Sequence, residues 1–127
     1  MHVLDASAVL AMVYQEPGAD DIASRLDGSL ISSVNFSEVL QKARAEGYDL
    51  DEIAALLRSM VDGIVPFDDR RALETAALWE QTRIAGLSLA DRACLALTAA
   101  VSGVAVTTDS AWAKLELPGV AIHVIGR

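Results

Sequence analysis

The sequence predicts an α/β fold, a three-layer α/β/α sandwich around a central, mostly parallel sheet. Short apolar runs alternate with stretches of helical periodicity along the chain, the pattern of a parallel sheet covered on both faces. No linker, low-complexity segment or internal repeat interrupts that alternation, so residues 1–127 are expected to form one domain. Several acids directly follow predicted strands, on the edge where α/β sheets keep their ligand crevice.

The elements follow in order. Val3 and Leu4 begin a short strand that ends at Asp5, and residues 7–14 read as a helix. Pro17 and Gly18 break the chain before a second helix over 19–26, with Ile22, Ala23 and Leu26 on one side. Leu30 and Ile31 form the second strand. Asn35 is placed to cap a helix that runs to about Glu46 and stops at Gly47. Residues 50–61 carry Ile53, Leu56, Leu57 and Met60 at helical spacing, and 64–67 form a strand whose Pro66 suggests a sheet edge. One long helix is expected over 69–85, ending at Gly86. Ser88 opens the next helix, to about Ser102; 104–106 is a strand, 111–112 lies in a short helix, and 120–125 closes the chain as a strand.

Composition narrows the function classes. At 127 residues, with 53% hydrophobic side chains, the chain buries enough surface to fold without disulfides or a structural metal. Its one thiol, Cys94, has no internal partner and suits a reducing cytoplasm. No signal-peptide pattern opens the sequence, and no apolar run nears the ~18 residues of a membrane span, so a membrane role is not expected. The net charge of −8 taken alone argues against a nucleic-acid partner. An acidic nuclease requires cations in its site and a few local Lys or Arg residues; an acidic surface also suits a basic protein partner.

Four acids stand out. Asp5 follows the first strand, Asp109 follows the 104–106 strand, and Glu38 and Asp91 are expected in the first turns of helices starting on the same edge. Each also reads as a helix cap. Ser88 to Asp91 and Asn35 to Glu38 fit capping boxes, while Asp5 and Asp109 can cap the helices that follow them. The set says more than its members. Two carboxylates ~4 Å apart repel by roughly 4 kcal/mol at an effective dielectric of about 20, so several in one crevice call for protons or cations. An all-oxygen set without a His–Cys group favours magnesium over zinc. Such a cation acidifies water and screens charge on a phosphodiester, and no side-chain nucleophile is then required. Ser7 and Thr107 or Thr108 are placed to hydrogen-bond these groups, with helix capping as their plainer role.

With these residues in view, the chain resembles the PIN-domain family, and within it the VapC toxins of type II toxin–antitoxin pairs. Val3-Leu4-Asp5-Ala6-Ser7-Ala8 looks like the family's opening strand with its first acid, and Asn35-Phe36-Ser37-Glu38-Val39 like the second-acid motif. Gly86-Leu87-Ser88-Leu89-Ala90-Asp91-Arg92 is similar to the third, and Val106-Thr107-Thr108-Asp109-Ser110-Ala111-Trp112 to the fourth. The resemblance spans nearly the whole chain. It implies a PIN-like sandwich, an Mg2+- or Mn2+-dependent endoribonuclease cutting RNA, a homodimer and a cognate VapB-like antitoxin. Asp5, Glu38, Asp91 and Asp109 would be its catalytic and metal-binding residues.

Arg92 reads equally as a phosphate contact or a surface arginine, and Lys42 and Arg44 as a solvated face or an RNA-facing patch. Trp112 reads as a packing residue and Cys94 as core. His2 and His123 lack a Ser or Cys partner at a useful spacing. A dehalogenase-like phosphatase would place a second aspartate two residues after the first, where this chain has Ser7. A PIN-fold binding module without turnover is the remaining alternative.

Overall fold

The computed structural model describes residues 1–126; Arg127, the last residue of the expected domain, lies outside them. Five short strands form its sheet: β1 (His2–Leu4), β2 (Leu30–Ser32), β3 (Gly63–Val65), β4 (Val104–Thr107) and β5 (Ala121–Val124). Their order is β3-β2-β1-β4-β5 and every pairing is parallel, so the sheet is parallel throughout rather than mostly. Val3 lies opposite Leu30 on one side and Ala105 on the other, which puts β1 at the centre. β3 is an edge strand, and Pro66 follows it, where no ladder donor is needed.

Side chains alternate across a strand, and here the alternation separates two cores. Leu4, Ile31 and Val106 face one cluster, with Val9 of α1 (Ala6–Val13), Val39 of α3 (Ser33–Ala45) and Leu57 of α4 (Leu50–Met60). Val3 and Ala105 face the other, with Leu95 and Leu97 of α7 (Leu89–Val101) and Trp112 of the 3-10 turn Ser110–Lys114. Helices thus cover both faces, as a three-layer α/β/α sandwich requires. Cys94 and Trp112 are core residues, as expected.

Three helix boundaries depart from expectation. The second helix, α2 (Ala19–Ala23), stops short of Leu26. The third begins at Ser33 and is capped by the Ser32 hydroxyl, which accepts from the Val34 amide. Asn35 is therefore inside α3 and fully buried, and Glu38 sits in its second turn, so the Asn35 capping box does not form. The helix expected over 69–85 is divided into α5 (Asp69–Ala77) and α6 (Trp79–Thr82) at Leu78. Buried Thr75 and Thr82 flank the break, each donating its hydroxyl to a carbonyl four residues back, a bond that bends helices.

Candidate functional site

The strand order turns at β1: β2 and β3 extend to one side of it, β4 and β5 to the other. Such a switch point opens a crevice beyond the carboxyl ends of the two central strands. Asp5 directly follows β1, and β4 ends two residues before Asp109. A cavity of about 240 Å3 lies there, and Asp5, Glu38, Asp91, Asp109, Ser7 and Lys42 all face it.

Asp5 is the most constrained of the four acids. Its Oδ1 accepts from the Ala8 amide at 2.9 Å, which caps α1, and from the Ser7 hydroxyl at 2.7 Å. Its Oδ2 accepts from the Thr107 hydroxyl at 2.5 Å and from Ser7 at 2.9 Å. Both hydroxyls are held in turn: the Thr108 amide donates to Ser7, and the Asp109 amide donates to Thr107. β1 and β4 are thereby joined through one carboxylate. Only 3% of Asp5 is exposed. Burial pushes its carboxyl up from 3.8 to about 6, with Asp91 adding to the rise and the Thr107, Ala8 and Ser7 hydrogen bonds opposing it. Desolvation outweighs those three bonds.

The other acids hold local partners. Asp91 completes a capping box: the Ser88 amide donates to its Oδ2 at 2.9 Å, and the Asp91 amide donates to the Ser88 hydroxyl at 3.1 Å. Asp109 accepts from the Ala111 amide at 3.0 Å and caps the 3-10 turn. Glu38 pairs with Lys42 one turn along α3, at 3.4 Å. The capping interactions expected for Asp5, Asp91 and Asp109 are thus present, together with a shared cavity. The four are less tightly gathered than expected: among the described residues, no three His, Cys, Asp or Glu side chains converge closely enough to hold an ion. Each is instead engaged by a donor of its own element: Asp91 by the Ser88 amide, Asp109 by the Ala111 amide and Glu38 by Lys42.

The donor set nonetheless fits a hard cation. Magnesium takes one or two protein carboxylates and keeps several waters, so it does not need three protein ligands at once. Asp91 already adds to the upward push on Asp5, and a divalent charge beside Asp5 would offset both its burial and that repulsion.

Arg92 lies elsewhere. Its guanidinium donates to the Leu87 carbonyl at 2.8 Å and lines a separate groove with Phe67 and Trp79, so it does not face the acids. Two residues gain weight from the structure. Lys42 borders the acid cavity, which its i,i+4 spacing from Glu38 hinted at. Asn35, expected as a cap, donates its side-chain amide to the Ala90 carbonyl at 3.0 Å and ties the Glu38 helix to the Asp91 helix. No sequence pattern signals that contact. Thr108 contributes its amide rather than its hydroxyl to the network. His2 and His123 lie away from the acids and share the Arg25 guanidinium.

A parallel α/β/α sandwich with acids along the edge of its switch point is a defined class of architecture. The chain belongs to the PIN-domain family, whose sequence profile matches residues 2–117. No curated protein matches it in sequence. Its fold is similar to a toxin–antitoxin complex from Klebsiella pneumoniae, with a TM-score of 0.75 and 18% identity over 95% of this chain and 96% of that one. It is also similar to VapBC2 from Rickettsia felis bound to a promoter DNA fragment, with a TM-score of 0.70 and 16% identity over 98% of each chain. VapBC-5 from Mycobacterium tuberculosis matches with a TM-score of 0.67 and 20% identity over 98% of each. At these identities the likeness is one of fold.

Proposed function

We propose that this PIN-domain protein is a divalent-metal-dependent endoribonuclease and the toxin of a toxin–antitoxin pair. One observation carries the nuclease reading: Asp5, desolvated and held by four hydrogen-bond contacts, shares its cavity with Glu38, Asp91 and Asp109. Family membership supports it. The antitoxin reading leans on the fold neighbours, which are described as toxin–antitoxin or VapBC assemblies, and on the charge of −8, which suits a basic partner. Homodimerisation comes from the family resemblance alone. Among the described residues, no helix is long and apolar enough to cross a membrane. A reducing cytoplasm, which suits the free Cys94 thiol, is the compartment proposed.

Asp5, Glu38, Asp91 and Asp109 would hold Mg2+ or Mn2+, which when bound would acidify water and offset charge on the scissile phosphate. The chain's own residues do the rest. Ser7 and Thr107 orient Asp5 by donating to it, and both hydroxyls are committed there rather than available as nucleophiles. Lys42 stands at the cavity wall, positioned to meet a phosphate oxygen. Asn35 holds the Glu38 and Asp91 helices in register.

The test is incubation of the purified protein with single-stranded RNA and Mn2+. Internal cleavage is expected, blocked by EDTA and lowered by orders of magnitude in Asp5→Asn. Intact RNA under every divalent ion would leave a PIN-fold binding module, a reading favoured by the local caps on Asp91 and Asp109.

A further inference from the structure

A second cavity, of about 770 Å3, adjoins the acid site and shares Ser7, Lys42 and Asp109 with it. We propose that this cavity is a base-binding subsite, which seats the nucleobase next to the phosphodiester that the acids address. The proposal deepens the nuclease reading and rests on it.

Size and lining chemistry point the same way. The volume falls in the usual range for small-molecule sites and accommodates a base with its sugar. Among the described residues, Lys42 is the cation that lines this cavity. Leu10 and Tyr14 of α1 supply apolar and aromatic surface, and Ser110 supplies a hydroxyl for a base edge. Lys42 stands where the two cavities meet, so a base in the larger one and a phosphate in the smaller one are bridged by one cation.

Tyr14 adds an independent sign. Its hydroxyl is shielded from water and has no hydrogen-bond partner, although the residue lines the cavity. A buried unpaired hydroxyl is destabilising, and a small turn of the side chain towards the cavity would let an occupant satisfy it. Burial, with Glu46, Tyr48 and Glu16 nearby, pushes its pKa up, which keeps the proton available for donation to a base nitrogen or carbonyl. The opposite wall is the segment 124–126, which packs on Gly18. A Cβ at that glycine would meet Ile125 Cγ2 at 2.7 Å, so the wall has little room to retreat.

The test separates this subsite from the nuclease reading by measuring binding without turnover. Fluorescence anisotropy with Ca2+ follows a hexaribonucleotide and a series in which each base in turn is removed to leave an abasic sugar. One abasic position is expected to weaken wild-type binding about tenfold, in line with the value of a base stacked on an aromatic wall. Ser110→Trp, which fills the cavity, should weaken binding of the intact oligonucleotide similarly and make that position insensitive to base removal. Tyr14→Phe should alter the ranking of the four bases at the same position. A flat abasic scan, or a folded Ser110→Trp that keeps the wild-type pattern, overturns the subsite. Absence of cleavage with Mn2+ would overturn the nuclease reading alone, because the binding series is read separately.

Discussion

Asp5 meets two opposed demands, capping α1 and carrying charge while almost wholly shielded from water. Its pH dependence follows from the sign of the shift. The folded carboxyl titrates near 6 and the unfolded one at 3.8, so the native state holds the proton more tightly. Stability from this group is full below about pH 4 and is lost as pH rises through about 6. In EDTA, Asp5→Asn should therefore gain on the wild type as pH rises from about 4 to 8, by up to roughly 3 kcal/mol. Urea melts across that range check this, and a stability difference that does not change with pH refutes it. Asn35 is the second residue to probe. Asn35→Ala removes its bond to Ala90, with an expected loss of about 1 kcal/mol in stability and a larger drop in kcat than in RNA affinity. Equal falls in both would give Asn35 a purely structural role. Asp5, Asp91 and Asp109 were legible in the sequence because each follows a strand or a Ser-x-x-Asp signature. Asn35 was misjudged and Arg92 left open because their partners, Ala90 and Leu87, are backbone carbonyls that no pattern announces.

Among the elements, α3 and α7 carry the functional argument. Ser32, Ser33 and Asn35 are all plausible caps, and only packing of Asn35 beneath Ala90 selects the earlier start. That choice moves Glu38 from the first turn to the second while leaving it on the cavity. The division of the 69–85 helix was equally hidden, since it lies between two buried threonine hydroxyls rather than at a Gly or Pro. At the start of α7, the capping box and the proposed cation site compete for one carboxylate. At N3, an asparagine carboxamide oxygen can still accept from the Ser88 amide as a capping box requires, and the variant sheds a charge that bears on Asp5. Asp91→Asn should therefore melt, in EDTA, at or above the wild-type temperature while losing activity by orders of magnitude. A melting temperature that falls sharply, with activity largely retained, would make Asp91 a structural cap and nothing more.

For the molecule as a whole, the alternation of short strands and helices was enough to indicate a parallel sandwich, because few other arrangements cover such a sheet. The charge of −8 was the main objection to an RNA substrate. The structure narrows it, with one lysine at the edge of an acidic cleft in place of a basic face. Single-strand binding releases about 0.7 counterions per neutralised phosphate, so one or two contacts give a log–log salt slope near −1. Anisotropy titrations across ionic strength should return that shallow dependence. A slope of about −4 or steeper would require a basic surface that the described residues do not present around the acids.

Calorimetric titration of Mn2+ into the protein and into Asp5→Asn at about pH 7.5 bears most directly on the acid cavity. Saturable binding by the wild type, abolished or weakened at least tenfold in the variant, is the predicted result. Indistinguishable isotherms, or no heat from the wild type, would contradict a cation role for the carboxylate at the end of β1.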